Sequence, residues 1–348
     1  MKKFLIAFLF LILTTPLFAA HIKGGFFTYQ YLGPGINNPS YLRYKVTLNC
    51  YSLIGATLGP PPGGFQMWDP INFTIFQDNN PVPFSQVSVS LKKRDTLNKL
   101  FASPCITGIG LTGPYYEIFI YELPSLELPP NPQGYTISYQ KCCRINNMDN
   151  VVGSGSVGNT WTIHIPGSVS PVPNADHNSS PLFQINDTVL VCQNNYFSYS
   201  FATTDPDGDS LSYSFCDAYP AGSATNTNPD PSSPPPYSPV PYSLPYSGAQ
   251  PLGAAVTINP VTGLVSGIAP PIINTGEYVV TVCVHEYRNG VYFATSRKEL
   301  HIRVKDCFIL TAIPNFNSVT CDGFTVTFSQ SSTGNPTNYN WDFGDPAS

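Results

Sequence analysis

EYVVTVCVHEYRNGVYF, residues 277–293, is the stretch that sets the fold class. Val280, Val282 and Val284 alternate with Thr281, Cys283 and His285, the period-two pattern of a strand that buries one face. Asn289-Gly290 then separates this run from a second one, and the pair suits a two-residue type I′ turn, which needs positive φ at both central positions. The stretch predicts an antiparallel hairpin, and its neighbours carry the same signal. SLSYSFC (210–216) puts Leu211, Tyr213 and Phe215 on one face. VTINPVTGLVSG (256–267) reads as strand, tight turn and strand, with Pro260 and Gly263 supplying the turn. KELHIRV (298–304) points Leu300, Ile302 and Val304 inward. Residues 182–307 are therefore expected to form a β-sandwich.

Helical periodicity is nearly absent from the rest of the chain. Strand-like runs begin at Tyr41 (YLRYKVTLNCY), Asn72 (NFTIF), Tyr115 (YYEIFIYEL), Tyr135 (YTISYQ) and Thr160 (TWTIHIP), which predicts an all-β domain over residues 21–166. Pro, Ser and Asn dominate the following stretch to Pro181, so residues 167–181 read as a linker. Within the second domain, residues 219–251 form a Pro, Ser and Tyr insertion without a core-forming pattern. It is expected to be an extended loop over the sandwich, in preference to a polyproline ligand, with exposed tyrosines that can stack on a sugar while their hydroxyls hydrogen-bond. Residues 308–348 read as the opening of a further sandwich, because Trp341 and Phe343 need partner strands that do not follow them here.

Composition narrows the class. The 348 residues allow two or three domains, and 42% apolar content can fill a core in each. Only 11% of residues are charged, against roughly 25% in average soluble proteins, so the surface must be built from Ser, Thr, Asn, Gln and Tyr. A net charge of -5 and no basic run longer than Lys92–Arg94 leave no electrostatic footprint for nucleic acid. Residues 1–20 have two lysines, an apolar run from Phe4 to Leu13 and then Ala19-Ala20, the layout of a secretory signal peptide. That apolar run is too short to span a bilayer, and no later stretch is long enough, so the mature chain is expected to be exported without a transmembrane span.

Export makes disulfides the default use of the nine cysteines, and no C-x-x-C zinc spacing occurs. Cys50, Cys105, Cys142 and Cys143 fall in the first half, Cys192, Cys216, Cys283 and Cys307 in the second, and Cys321 stands alone. Cys216 is on the face opposite Phe215 and Cys283 opposite Val282 and Val284, so a bridge between them across neighbouring strands fits and leaves Cys192 with Cys307. Adjacent cysteines rarely bond each other; Cys142 and Cys143 are expected to go separately to Cys50 and Cys105, in either order.

Motifs for catalysis are scarce. GSGSVG (153–158) matches a dinucleotide fingerprint by letter, but a strand follows it where a helix N-terminus is required, so it reads as a turn. The histidines at 21, 164, 177, 285 and 301 are scattered, although His285 and His301 could meet in the fold. There is no G-x-S-x-G, and the acids form no distinctive catalytic motif; the reading is of a non-enzymatic protein. The exception among the acids is TTDPDGDSL, where Asp205, Asp207 and Asp209 alternate around Gly208. Three carboxylates two residues apart repel unless solvated or bound to a hard cation, and calcium is the candidate. The spacing is not that of an EF-hand, and a solvated acidic turn is the alternative.

These residues also carry a family likeness. CDGFTVTFSQSSTGNPTNYNWDFGDP (321–346) resembles the first half of a PKD domain, an immunoglobulin-like sandwich marked by its W-D-F-G-D segment. TDPDGDSLSYSF, INPVTGLVSG and GEYVVTVCVHEYRNG look like cadherin-like modules of bacterial surface proteins. HIKGGFFTYQYLG and YQKCCRINN are similar to the opening domain of large PKD-containing surface proteins of gliding bacteria, with Phe26 departing from the usual polar residue. The resemblance implies an exported cell-surface adhesin or spacer of tandem sandwiches, with a truncated PKD module over 308–348. It implies extracellular glycans or surface proteins as partners, and the type IX secretion machinery where a sorting domain follows; none is present in these residues. The alternatives are the accessory region of a larger extracellular hydrolase and a carbohydrate-binding module in its own right.

Overall fold

In the computed structural model the alternating runs become strands. The structure describes residues 22–53, 57–58, 66–67, 69–97, 106–107, 116–184, 190–223, 225–309, 314–316, 328–332, 338, 340 and 341. The leader-like residues 1–20, Cys105, Cys321 and most of the PKD-like segment therefore lie outside the described residues. The strands of the first half are β1 (Ile22–Pro34), β2 (Leu42–Leu53), β3 (Ile71–Gln77), β4 (Pro83–Val89), β5 (Leu91–Leu97), β6 (Tyr116–Leu128), β7 (Gly134–Lys141) and β8 (Asn159–Pro166). Those of the second are β9 (Leu190–Cys192), β10 (Tyr196–Ser200), β11 (Ser210–Cys216), β12 (Val256–Ile258), β13 (Leu264–Ile268), β14 (Glu277–Arg288) and β15 (Val291–Lys305). The protein is all-β, with helix confined to short 3-10 turns among the described residues. Asn289 and Gly290 have φ of 54° and 80°, as the type I′ turn between β14 and β15 demands. Further on, Pro314–Phe316 pairs with Phe328–Gln330.

The two predicted domains share one sheet. Its order is β11-β14-β15-β1-β2-β6-β5, with β9 parallel to the end of β15. The joint is the antiparallel pairing of Gly24, Gly25 and Phe26 with Leu300, Glu299 and Lys298. Both glycines have positive φ, and a Cβ on Gly24 would run into the Glu299 carbonyl, so the Gly-Gly pair permits this approach. Residues 167–181 do not behave as a free linker: Asn178, Ser179 and Ser180 are buried. Ser180 N–H donates to the Tyr29 carbonyl (2.9 Å), Tyr29 N–H to Ser180 Oγ (2.9 Å) and Tyr31 N–H to Ser179 Oγ (3.2 Å), fixing the segment along β1.

Two smaller sheets pack on opposite faces of the large one. A four-stranded sheet, β8-β7-β3-β4, closes a core with Phe27, Leu48, Phe73, Phe119, Ile137 and Trp161. A three-stranded sheet, β10-β13-β12, closes a second with Val265, Val280, Val282, Val284, Leu300 and Ile302. Neighbours on one strand divide between the cores, Phe26 and Phe27 on β1 and Ile118 and Phe119 on β6, which places the cores on opposite sides because side chains alternate along a strand. β14 is buried along its first eight residues, as a central strand covered on both faces must be, and its apolar run from Val279 reflects that.

Charged residues are buried at the joint. Lys23 Nζ lies 2.6 Å from Glu277 Oε1, and the Arg144 guanidinium donates to both Glu299 oxygens at 2.8 to 3.2 Å, with the Lys23 and Arg144 side chains fully buried. Arg144 also donates to the Tyr219 carbonyl (3.1 Å) and to the Gly158 carbonyl, and Asn159 Nδ2 donates to Glu299 Oε1 (2.8 Å). Burial alone would push the Glu299 carboxyl up, but Arg144 and His301 outweigh it and hold it below the usual carboxylate range. Nearby, the Asp149 carboxylate accepts backbone N–H bonds from Ile273, Asn274, Thr275 and Gly276 at 2.8 to 3.2 Å.

The disulfides bring one correction. Cys216 bonds Cys283 between β11 and β14, and Cys192 bonds Cys307 where β9 meets the end of β15. Cys142, however, bonds its neighbour Cys143, and Cys50 is a buried free thiol. Cys50 belongs to the core between the large and four-stranded sheets, whereas Cys142 and Cys143 form a separate buried pair past the end of β7. The Cys142 N–H donates to the Thr227 carbonyl (2.8 Å) beneath the insertion.

Candidate functional site

The acidic loop lies between Thr203–Thr204 and β11, and it folds around Asp205. Asp205 Oδ1 accepts the N–H groups of Asp207 (2.9 Å) and Asp209 (3.0 Å), the Asx-turn habit of a short acid, and Gly208 supplies a positive φ of 81°. All three carboxylates thereby converge: one oxygen from each lies within 4.8 Å of the others, the single such metal-capable group of three among the described residues. Asp207 Oδ2 accepts the Ser179 N–H (2.5 Å). Asp209 takes a bidentate pair from Arg288, Nε to Oδ1 at 2.8 Å and Nη2 to Oδ2 at 2.6 Å. Asp205 Oδ2 is buried with no hydrogen-bond partner among the described residues, and burial raises the Asp205 carboxyl above its ordinary value.

Residues that sequence reasoning missed complete the surroundings. Asn178 accepts from Arg288 Nη2 (2.9 Å) and donates to Glu286 Oε2 (2.7 Å) and to the Tyr29 hydroxyl (3.1 Å). Glu286 is almost wholly buried; burial first, then the nearby Asp205 and Asp209 charges, push its carboxyl up to about 8. Glu286 follows the parity of Val282 and Val284, so a charge at an inward position of β14 was the available signal. His285 and His301 do not meet at a metal site. His285 bonds Ser214 and Thr295 at 2.9 Å each on the outside of β14, while His301 is fully buried beside Glu299. GSGSVG forms a 3-10 turn at Ser154–Ser156 leading into β8.

The insertion has a different place from the one expected. It crosses to the first half and straps the outer face of the four-stranded sheet. Asp230 accepts from Asn72 Nδ2 (2.7 Å) and Gln86 Nε2 (2.5 Å), Ser232 N–H donates to Thr74 Oγ1 (3.0 Å), and Ser233 N–H to Gln140 Oε1 (2.9 Å). Its tyrosines are therefore committed inward and are not free contact points. Tyr237 shares a 2.5 Å hydrogen bond with Ser138 Oγ, Tyr242 OH accepts the Ala218 N–H (2.9 Å), Tyr246 is buried against Tyr278, and Tyr219 lies under the Arg297 guanidinium. A proline-rich chain has few N–H groups to satisfy, so outward Thr, Gln, Ser and Asn side chains of the sheet can meet its remaining polar groups.

An exposed aromatic face is found elsewhere, on the three-stranded sheet. Tyr196 (69% exposed) pairs across strands with Ile268, and Leu264 is exposed on the same face, with Ser198 and Ser200 between. No family model, no curated protein and no solved structure matches the chain. No helix among the described residues is long and apolar enough to cross a membrane.

Proposed function

We propose that this is an exported, non-enzymatic cell-surface protein that holds β-sandwich surfaces rigidly for adhesion to glycans or proteins, or spaces further modules from the cell. The observation that carries the reading is the continuous eight-stranded sheet. The pairing of β1 with β15 and a side-chain-anchored strap tie its halves into one stiff body, and two disulfides brace the second half, as a spacer or adhesin stalk requires. The leader-like start, the sparse charge and the resemblance to PKD-bearing surface proteins support the same place of action, at or outside the outer cell surface. The contact surface is the Tyr196 face of the three-stranded sheet, where a ring flanked by hydroxyls offers stacking and hydrogen bonding together.

A glycan array and a surface-protein extract, probed with the full mature chain, test the reading. Binding that falls roughly threefold to tenfold in Tyr196→Ala, the worth of one aromatic contact, supports it. No binding to any glycan or to the extract overturns it.

Calcium is the second element of the proposal. Asp205, Asp207 and Asp209 form an oxygen-only donor set that suits a hard cation, and the orphan Asp205 Oδ2 is a ligand atom in want of one. Arg288 and the Ser179 N–H already compensate part of this charge, so the gain from calcium is small. Calorimetry of the full chain should show heat on adding calcium and a raised Tm, both lost in Asp205→Asn; no heat and no change in Tm removes calcium from the reading.

A further inference from the structure

We infer that the cleft between the edges of β11 and β12 captures an extended, uncharged polypeptide segment by strand addition. Among the described residues each of these strands is the last of its sheet: β11 pairs only with β14, and β12 only with β13. Tyr213 N–H donates to the Pro260 carbonyl (2.9 Å), which pins the cleft shut at one end and shows that odd-numbered residues of β11 direct their backbone groups away from β14. By the same alternation the Phe215 N–H and C=O and the Tyr213 C=O face the cleft. On β12 the Asn259 N–H bonds inward to the Leu264 carbonyl, so the Ile258 N–H and C=O face outward. None of these groups has a hydrogen-bond partner among the described residues.

Between the two edges is a cleft of ≈ 400 Å³ lined by Tyr213, Phe215, Val256, Ile258 and Pro260, with Gln250 at its rim. A helix, about 10 Å across with its own backbone bonds closed, could neither enter such a space nor satisfy the free groups. An extended chain can do both, because its N–H and C=O groups project sideways at the spacing of a strand. The edges also lack the usual protection. β5, the opposite edge of the large sheet, carries Lys92, Lys93, Arg94 and Asp95, the charges that keep an edge from pairing. SLSYSFC and VTI carry none, so no charge opposes an incoming uncharged strand. Apolar side chains at alternate positions of that strand would meet Tyr213, Phe215, Val256 and Ile258, and small polar ones would face water. The inference is separate from the Tyr196 face: either surface can fail its test while the other passes.

The probe is the peptide Ac-TVSVTVSVT-NH2, added to the full mature chain, with backbone amide exchange followed by NMR. Saturable slowing of exchange at Phe215 and Ile258 by about tenfold or more is expected, as new hydrogen bonds close these amides. The same peptide N-methylated at every second amide should give none. Thr257→Lys puts a charge on the exposed side of β12 and should abolish the protection at Phe215 and Ile258 while leaving the Tm of the unbound chain unchanged. Unchanged exchange at saturating peptide overturns the inference. So does equal binding of the N-methylated peptide, which would make the cleft a merely apolar slot. Protection that grows with protein concentration without peptide also overturns it, and assigns the edges to a second copy of the chain.

Discussion

Replacing Arg144 with Met tests whether the two halves stand or fall together. The guanidinium is fully buried and donates to both oxygens of Glu299 and to the carbonyls of Gly158 and Tyr219. Its removal strands the Glu299 carboxylate in the interior with Asn159 Nδ2 at 2.8 Å and His301 Nε2 at 3.6 Å as remaining partners. Breaking one side of a buried ion pair costs about 3 to 5 kcal/mol, mostly as the penalty of the charge left behind. The two carbonyls lose roughly 1 kcal/mol each where no water replaces the donor. A loss near 5 kcal/mol would be a third or more of the roughly 5 to 15 kcal/mol that holds a typical domain folded. Urea unfolding followed by tryptophan fluorescence and far-UV circular dichroism should show a single transition moved to lower denaturant. The double variant Arg144→Met with Glu299→Leu should recover most of the loss, because no charge is then left unpaired. A cost under about 1 kcal/mol for Arg144→Met, or a double variant no better than the single, would refute the account of the joint. Two separated transitions in the parent would refute the single body.

Further outcomes follow from the same geometry. Glu286 has a folded pKa of about 8 against an ordinary value of 4.5, so between those values the folded state holds a proton the unfolded state has lost. Its contribution makes stability fall as pH rises through that window, by up to ~1.4 kcal/mol per pH unit. Glu286→Gln, melted in calcium-free buffer, should flatten this fall and be more stable than the parent at pH 8; an unchanged pH profile would count against the buried carboxyl. Replacing Cys192 and Cys307 by Ser opens a crosslink of sequence separation 115, worth about 4 to 5 kcal/mol in the chain-entropy model, and a midpoint shift far below that in urea would show the ends are held by β9 and β15 alone. Tyr237→Phe should cost about 1 kcal/mol and speed amide exchange within residues 219–251 more than in the sheet beneath; uniform exchange would deny the strap.

Local chemistry was legible in the sequence where local chemistry decides structure. Val280–Val284, the Asn289-Gly290 turn and the alternation in β11 follow from period and turn type, and the acidic loop from its spacing. Pairings between distant segments were not, because Gly24 and Leu300 carry no mark of each other beyond a Gly pair whose use is evident only when the Glu299 carbonyl sits against it. Buried charges mislead in the same way: Lys23, Arg144 and Glu299 read as surface until the partners are known. On the four-stranded sheet, Thr74, Gln140 and Ser138 alternate as solvent-facing residues do, yet they serve the strap. The Cys142–Cys143 bond runs against the general rule that adjacent cysteines do not pair, and the enclosure of Cys50 between sheets is set by distant strands that the sequence around it does not announce. Glu286, Asn178 and Arg288 come from three separated stretches, so no motif could announce the network around Asp209.

The pairing of β1 with β15 also decides how the body bears a pull. The strands run antiparallel, so the start of β1 and the end of β15 lie at the same end of the pair. Tension drawn from those two points peels the ladder one bond at a time, where a parallel pair loaded from opposite ends would resist in shear. The Lys23–Glu277 and Arg144–Glu299 ion pairs lie at the mouth of that peel, and the Cys192–Cys307 bond passes load from the end of β15 into β9. The reinforcement is concentrated where a tethered chain would begin to tear.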